Sequence, residues 1–339
     1  MPSSRYIRQE IFEPIGPEGQ RRVSSAAVAV IGCGALGTNI ANNLARSGVG
    51  RIRIVDRDVV ELDNLQRQVL FDEEDVRLRV PKAVAAVNHL RTANSSIALE
   101  AEVAEVSSAN IESLIEGFDL VLDGTDNVDA RLVLNDACLK RRVPYVFGGA
   151  VASQGMTMVV VADQTPCFRC LIAERLAPGT APTAATAGIL HSTTAVVASL
   201  QCTSALRLLA GDWAPTDVLV CVDVWEHELT RMHVPRRPDC PACVRREFEF
   251  LAARPERRTV PVAGTSSVRL WANGPLSLAR LSEAWRGKGE VVANPWLVSL
   301  RVGGHEIIVF ADGRGMVNGV AEPVAAQGLF EKYVDPWIA

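Results

Sequence analysis

The sequence predicts an α/β protein with a doubly wound, mainly parallel sheet, followed by a small α+β domain. Three observations support this prediction. An uninterrupted apolar run over residues 26–31 leads directly into the glycine-rich segment GCGALG, residues 32–37. Two further strand-like runs, residues 51–55 and 120–122, are each followed by an aspartate. Helix-like segments separate these runs, and this alternation is typical of a parallel sheet that binds ligands at the carboxyl ends of its strands.

Composition excludes several classes of protein. The chain has 339 residues, 48% of them hydrophobic and 22% charged, which suits one large α/β domain and a smaller one. Its net charge of −4 argues against a nucleic-acid-binding surface as the main function. The first residues lack the apolar segment of a secretory signal peptide. Four cysteines, Cys33, Cys138, Cys202 and Cys221, occur singly, as reduced thiols do, and we expect a cytoplasmic protein without membrane partners.

The middle of the chain predicts further strands and a long helix. Residues 145–161 are rich in apolar and β-branched side chains and predict strands. Residues 177–186 are small and polar and include proline, which indicates a mobile crossing loop. Residues 188–209 contain no charge before Arg207 and predict a helix too apolar to face water on any side, which suits either a core or a dimer seam. Its polar side chains favour a buried helix over a membrane span, which needs about twenty mainly apolar residues.

Two cysteine pairs predict a metal site. Cys167 and Cys170 form one pair with a two-residue gap, and Cys240 and Cys243 form the other. This spacing suits tetrahedral zinc, because each pair chelates from one knuckle. Four thiolates leave no open coordination position, so we expect structural zinc. The alternative is two redox-active pairs, but Pro166 and Pro241 beside the cysteines favour rigid knuckles.

The C-terminal part has a different pattern. Residues 1–250 form the first predicted domain, the charge-rich segment 245–258 is its boundary, and residues 259–339 form the α+β domain. In the second domain we predict strands over residues 268–271, 297–302 and 306–310 and helices over residues 276–285 and 323–333.

The glycine-rich segment alone is weak evidence for nucleotide binding, because the same glycine pattern occurs in other tight turns between a strand and a helix. Asp56 lies 19 residues beyond Gly37, a spacing that suits a carboxylate on ribose hydroxyls and so an NAD-dependent dehydrogenase. Asn64, Arg67 and Lys82 argue instead for a triphosphate, whose developing charge needs more cations than a dinucleotide's bridging pyrophosphate.

A carboxylate at the end of the third apolar run completes this prediction. Asp126 could hold Mg²⁺ against the phosphates. Arg67 or Lys82, taken alone, is more simply explained as an ordinary solvated charge.

Together these segments resemble the MoeB/ThiF family, the bacterial relatives of ubiquitin-activating enzymes, over residues 5–243. The resemblance is carried by RYIRQ (5–9), GCGALG (32–37), DRD (56–58), NLQRQ (64–68), PK (81–82), DGTDN (123–127) and both cysteine pairs. It implies a Rossmann-like fold, a homodimer and structural zinc. It also implies an adenylyltransferase that uses ATP to adenylate the C-terminal glycine of a small ubiquitin-like sulfur carrier ending in Gly-Gly. Pyrophosphate is released, and the product serves molybdopterin, thiamine or thiolation pathways.

The resemblance also implies roles for individual residues. Asp56 would bind the ribose, Asn64, Arg67 and Lys82 the phosphates, and Asp126 the metal. The residues expected to line the nucleotide site are Gly32, Gly34, Ala35, Gly37, Asp56, Asn64, Arg67, Lys82, Asp126 and Asn127. Arg8 would reach across the dimer into the partner's site. Ala35 replaces the family's usual third glycine and leaves the backbone amide available.

Two departures from the family pattern affect the expected chemistry. Many relatives carry a cysteine in the crossing loop that forms a thioester or persulfide bond with the carrier, and this chain has Ala184 there. We therefore expect the enzyme to stop at the acyl adenylate. Residues 244–339 contain no cysteine, so the C-terminal domain cannot carry a persulfide as a rhodanese-like domain does.

Three other functions remain as alternatives. Relatives in peptide-antibiotic maturation use the same core on short peptides, and a neighbouring gene for a Gly-Gly carrier or a precursor peptide would distinguish the two. A non-catalytic binding module is disfavoured, because charged groups such as Lys82 and Asp126 are costly to bury without a role. An NAD-dependent oxidoreductase is disfavoured because the second half supplies no obvious acid for hydride transfer.

Overall fold

The computed structural model describes residues 5–172, 184–253, 259–262, 265–272 and 276–337. Most of the predicted crossing loop, residues 177–183, therefore lies outside the described residues. The chain divides into two compact units, Met1–Arg254 and Pro255–Ala339.

The first unit is built on an eight-stranded sheet of order β3-β2-β1-β4-β5-β6-β7-β8. Its strands are β1 Ala27–Ile31, β2 Arg51–Asp56, β3 Ala98–Val103, β4 Leu120–Asp123, β5 Tyr145–Val151, β6 Gln154–Val160, β7 Val218–Asp223 and β8 Glu228–His233. Strands β1 to β5 are parallel to one another, whereas β6, β7 and β8 continue the sheet in antiparallel pairs. The predicted Rossmann-like α/β fold is confirmed, with an antiparallel extension that the sequence analysis did not foresee.

The helices of this unit cover both faces of the sheet. They are α1 Ile7–Glu10, α2 Gly16–Ser25, α3 Ala35–Ser47, α4 Glu73–Arg77, α5 Lys82–Ala93, α6 Ile111–Leu114, α7 Val128–Arg141, α8 Phe168–Leu171, α9 Ala184–Ala187, α10 His191–Ala210 and α11 Glu249–Ala252, with a 3₁₀ turn at Leu62–Asn64. Val28 and Val30 of β1 belong to one hydrophobic cluster, and Ala29 and Ile31 belong to the other. Because both faces are covered, β1 reads as an uninterrupted apolar run.

The strand register brings the predicted ligand-binding ends together. Ile31, the last residue of β1, lies opposite Val55 of β2 on one side and Asp123 of β4 on the other. The segments that follow these three strands therefore meet at one edge of the sheet, here called the carboxyl edge.

Three strands of this sheet were not predicted from the sequence. Strand β3 carries Glu100 and Glu102, and every residue of β8 is exposed, so neither has the apolar signal of a core strand. Strand β7 is partly buried and follows the long helix without a distinct turn signal.

Helix α10 corrects one expectation. It begins at His191 rather than Gly188, which adopts a φ of +74° just before it. In the single chain Val196, Ser199 and Thr203 form an exposed stripe at helical spacing, so a core accounts for one face of the helix, and a dimer seam over the other face stays a prediction. Among the described residues α10 is the one helix long and apolar enough to span a membrane, but its other face packs against α3, β5 and β6 as a core helix.

The second unit is a six-stranded antiparallel sheet of order β11-β12-β13-β14-β10-β9, and this confirms the predicted small α+β fold. Its elements are β9 Val260–Pro261, β10 Ser267–Trp271, α12 Leu278–Trp285, β11 Glu290–Ala293, β12 Leu297–Val302, β13 His305–Phe310, β14 Arg314–Asn318, α13 Pro323–Tyr333 and a 3₁₀ turn at Asp335–Trp337. Trp285 and Phe330 are fully buried in its core, and the Trp285 indole donates to the Tyr333 carbonyl at 2.9 Å.

Candidate active site and metal centre

The glycine-rich segment forms a tight turn between β1 and α3. Gly32 has a φ of +89°, and a Cβ on Gly37 would lie 1.9 Å from the Gly32 carbonyl oxygen. A Cβ on Gly124, in the loop after β4, would lie 2.4 Å from the same oxygen. The two loops therefore touch backbone to backbone, and only glycine fits at these positions.

This turn leaves the start of α3 open for an anion. Gly34 precedes the helix without a side-chain cap, and a Cβ there would meet nothing within 4 Å. Ala35 is the first helical residue. The first backbone amides of a helix lack partners within it, and together with the helix dipole they form an anion-binding site.

Asp56, the last residue of β2, is locked beside this turn. Its Oδ2 accepts a hydrogen bond from the Cys33 amide at 2.6 Å, and its Oδ1 accepts one from the Asp58 amide at 2.8 Å. Burial raises the pKa of Asp56, and the nearby Lys82 ammonium opposes that rise. The carboxylate is thus in a fixed orientation at the carboxyl edge, where a ribose bound beside the glycine turn would lie.

Lys82 begins α5 and is only 9% exposed. Burial by itself lowers the pKa of the Lys82 ammonium, but the carboxylates of Asp58, Asp56 and Glu61 more than offset this and the pKa is raised. Asp126 contributes in the same direction although it comes from the distant β4 loop. The ammonium is therefore a charged group held among carboxylates and is not a solvated surface charge.

Asn64 and Arg67 lie in and just after the 3₁₀ turn that follows β2. The Asn64 side chain is buried, accepts from the Glu61 amide at 3.3 Å and donates to the Asp63 carboxylate at 2.7 Å. The Arg67 guanidinium donates to the Asp63 carbonyl at 2.6 Å, and 21% of its side chain is exposed. Both side chains are already oriented by the turn.

The β4 loop presents Asp126 and Asn127 in different ways. Asp126 is exposed and has no hydrogen-bond or ion-pair partner within the described part of the chain. The Asn127 side chain instead caps α7, since its Oδ1 accepts from the Ala130 amide at 2.8 Å. Asp126 is thus available for a ligand, whereas the Asn127 side chain has a structural use.

Four residues to which the sequence analysis gave no role hold this loop: Asp123, Arg131, Tyr145 and Gln201. Asp123 is fully buried: its Oδ1 accepts from the Thr125 amide and hydroxyl at 2.8 and 2.7 Å, and its Oδ2 accepts from Tyr145 at 2.8 Å and Arg131 at 3.2 Å. Gln201 of α10 donates to the Asp123 carbonyl at 2.9 Å. The signal in the sequence was a lone glutamine inside an apolar helix, which required a buried partner.

Arg8 is not brought into this chain's own site. Its helix α1 is anchored at the far end of α3, where Gln9 donates to the Ser47 carbonyl at 3.0 Å and the Tyr6 ring packs on Gly48. Helix α3 has 13 residues, so roughly 18 Å of helix lies between this anchor and the glycine turn. The Arg8 side chain is exposed.

The two cysteine pairs do come together. The four Sγ atoms of Cys167, Cys170, Cys240 and Cys243 lie within 4.8 Å of one another in a buried cluster. The Cys167 and Cys240 sulfurs are 3.7 Å apart, and the Cys170 and Cys243 sulfurs are 3.6 Å apart. Tetrahedral zinc with bonds of about 2.3 Å requires sulfur separations of about 3.8 Å, so the cluster could hold zinc.

This cluster lies at the opposite edge of the sheet from the glycine turn. Val160, the last residue of β6, pairs with Tyr145, the first residue of β5, and the first cysteine pair follows β6. The second pair follows β8, whose last residue His233 pairs with Val218 at the start of β7. A metal here is remote from the carboxyl edge, which suits a structural site.

The remaining cysteines are poor nucleophiles. Burial raises the pKa of the Cys202 thiol to about 12, and its sulfur contacts the Ile40 carbonyl at 3.6 Å. Burial likewise raises the pKa values of Cys33, Cys138 and Cys221. Ala184, at the position of the family's thiol, begins the short helix α9.

Comparisons with known proteins agree with this geometry. A family model described as the ThiF family matches residues 6–242. The chain is 38% identical over 337 residues to the sulfur carrier protein ThiS adenylyltransferase of Bacillus subtilis, covering 98% of this chain and 99% of that protein. It is also 38% identical to the SAMP-activating enzyme E1 of Haloferax volcanii, covering 70% of this chain and 88% of that one. The similarity to the Bacillus protein therefore extends into the C-terminal unit.

Solved structures show the same fold. The crystal structure of Escherichia coli MccB with MccA-N7isoASN superposes with a TM-score of 0.61 at 22% sequence identity, covering 72% of this chain and 75% of that one. At that identity the likeness concerns the fold alone.

Proposed function

The chain belongs to the ThiF family and is an adenylyltransferase, and we propose that it uses ATP to adenylate the C-terminal glycine of a small sulfur-carrier protein. The product is an acyl adenylate for sulfur transfer in cofactor biosynthesis or thiolation. Its relatives include enzymes named for the sulfur carriers ThiS and SAMP.

One observation carries this proposal most directly: the Lys82 ammonium interacts electrostatically with both Asp56 and Asp126 at the carboxyl edge, although the three residues come from three separate segments. A fixed carboxylate beside a glycine turn suits a ribose, and a buried ammonium suits phosphates. An exposed carboxylate without a partner suits a metal ion on those phosphates. A dinucleotide needs the first of these three features, and a reacting triphosphate needs all of them.

The chain's residues would divide the work of the reaction as follows. The amides of Gly34 and Ala35 and the Lys82 ammonium hold the phosphates. Arg67 and Asn64 add donors from the turn after β2. Asp126 would hold Mg²⁺, which supplies positive charge to the phosphates when bound. The substrate carboxylate then attacks the α-phosphorus, and the bond to the bridging oxygen breaks to release pyrophosphate.

We propose zinc at the four cysteines as a structural metal. The sulfur separations of 3.6 and 3.7 Å support tetrahedral coordination. The site joins the segments after β6 and β8, and a closed four-sulfur shell has no position for substrate. Its contribution is folding free energy rather than chemistry.

We also propose a homodimer in which Arg8 completes the partner's site. The position of α1 supports this, because Gln9 anchors the helix that carries Arg8 at the end of α3 remote from its own glycine turn. An exposed guanidinium placed there has no role at its own nucleotide site.

The reaction would stop at the acyl adenylate, because Ala184 has no nucleophile and the single thiols are buried or of raised pKa. A separate sulfur donor would then attack the activated carboxyl. We place this chemistry in the cytoplasm. The MccB likeness does not favour a peptide substrate, since it concerns the fold alone.

Incubation with ATP, Mg²⁺ and the ThiS protein of Bacillus subtilis tests the proposal. Mass spectrometry should find AMP on the carrier's C-terminus and pyrophosphate in equal amount. A carrier truncated by its last glycine is the matched control and should remain unmodified. ATP consumption that does not depend on the intact carrier would contradict the proposed substrate.

A further inference from the structure

Arg131 of α7 lies at the carboxyl edge, where the loops after β4 and β5 meet. Its Nε donates to the Asp123 carboxylate at 3.2 Å. Its Nη2 donates to the Thr125 carbonyl at 2.7 Å and to the Gly148 carbonyl at 3.1 Å. These bonds orient the guanidinium between the loop that presents Asp126 and the end of β5.

One nitrogen of this guanidinium is unused. Nη1 makes no hydrogen bond within the described ranges, although only 14% of the side chain is exposed. Nη1 is not among the buried polar atoms that lack a partner in the described residues, so it reaches solvent-accessible space. Nη1 is therefore a donor oriented by the protein and available for a ligand.

Gly149 lies beside this guanidinium. A Cβ on Gly149 would lie 3.7 Å from Arg131 Nη2 and 3.8 Å from Nη1. No positive φ requires glycine at this position. Because the same Cβ would lie 3.4 Å from Phe147 Cζ, a methyl group fits there in van der Waals contact with both the ring and the guanidinium.

The same stretch of β5 is close to the return of the crossing segment. Ala152 forms a bridge with Ile189, with its amide donating to the Gly188 carbonyl at 2.9 Å. The crossing segment therefore pairs with the chain three residues beyond Gly149.

We infer that Arg131 binds the C-terminal carboxylate of the carrier through Nη1 and orients it toward the α-phosphorus of ATP. This inference rests on the proposed function. In the reaction one carboxylate oxygen forms the new bond to phosphorus, pyrophosphate leaves with the bridging oxygen, and no proton moves. Arg131 keeps its charge throughout and contacts the carboxylate before attack.

The test compares two forms of Bacillus subtilis ThiS, one with a free C-terminal carboxylate and one with a C-terminal carboxamide. Fluorescence anisotropy measures the binding of each, without ATP. The wild-type enzyme should prefer the carboxylate by about tenfold or more, as expected for a hydrogen bond to a charged group. Arg131→Gln should bind both forms equally, close to the wild-type affinity for the carboxamide.

Control variants separate this contact from loss of structure. Gly149→Ala keeps every bond of Arg131 but places a methyl group beside Nη1, so it should reduce the carboxylate preference several-fold with unchanged ATP affinity. If Arg131→Gln does not fold, the carboxylate preference of Gly149→Ala tests the contact in its place. Arg141→Gln, on the exposed side of the same helix, should keep the full preference.

Four outcomes would overturn the inference. A carboxylate preference that persists in both Arg131→Gln and Gly149→Ala would place the contact elsewhere. Reduced ATP affinity in these variants with the preference intact would assign Nη1 to the α-phosphate. Failure of wild-type enzyme to bind either form would overturn the proposed carrier as well, whereas equal binding of both forms overturns only the carboxylate contact.

Discussion

The Asp56 carboxylate accepts the Cys33 amide at 2.6 Å, and this contact joins the end of β2 to the glycine turn after β1. It fixes the nucleotide site in the folded chain before any ligand binds. The same preorganisation extends to the β4 loop, where buried Asp123 holds the backbone that presents Asp126. Substitution of exposed Asp126 should therefore change activity, whereas substitution of a buried carboxylate should change stability.

Asp136 should make stability depend on pH. Burial raises the pKa of this carboxyl to about 6, against an ordinary value of 3.8, and its Oδ2 accepts from the Phe250 amide. A raised folded-state pKa favours the protonated form, so stability present below pH 4 is lost as the pH rises to about 6. Asp136→Asn should gain up to about 3 kcal/mol relative to wild type between pH 4.5 and 7.

Thermal unfolding of both proteins across this pH range measures that effect. The difference between the two proteins is the relevant quantity, because acid release of zinc affects both alike. A difference that does not change with pH would show that Asp136 is charged throughout.

Zinc should stabilise the first unit. We expect one zinc per chain, and Cys170→Ser or Cys243→Ser should lose the metal and unfold at a markedly lower temperature, since metal binding is coupled to folding. Elemental analysis and thermal unfolding measure both effects, with Cys221→Ser as the control that keeps its zinc. Metal-free wild-type protein with unchanged stability would contradict a structural zinc site.

Arg8 should act in trans. Arg8→Ala and Asp126→Ala homodimers should both be inactive, and mixed dimers should regain activity because one of their two sites has both residues intact. Activity of tagged, purified heterodimers measures this. If verified heterodimers stay inactive, Arg8 does not complete the partner's site.

No thioester should form between enzyme and carrier. A thiol of pKa about 12, such as that of Cys202, is almost entirely protonated near neutral pH and does not attack an adenylate readily. Adenylated carrier should accumulate, and non-reducing electrophoresis should show no conjugate. A conjugate that is sensitive to dithiothreitol and absent in Cys202→Ser would show that Cys202 does form a thioester with the carrier.

Sequence reasoning located the strands whose burial on both faces leaves a continuous apolar run, such as β1. It did not locate β3 and β8, the two edge strands of the sheet. Strand β3 carries two glutamates and β8 has no buried residue, so neither shows a continuous apolar run. The two-residue gap within each cysteine pair predicted that the two pairs come together as one metal site, because this ligand spacing is visible in the local sequence. The roles of Asp123, Arg131 and Gln201 depend on contacts between distant segments, which no local pattern records.

Pyrophosphate exchange into ATP tests the central claim most directly. With Bacillus subtilis ThiS present, wild-type enzyme should catalyse exchange, and Asp126→Ala should lose it by at least about 10²-fold without loss of folding. The fold should survive because Asp126 is exposed and makes no bond in the described structure. Asp129→Asn, three residues further along, is the matched control and should exchange normally. Near-normal exchange by Asp126→Ala, or no carrier-dependent exchange by wild type, would contradict the account.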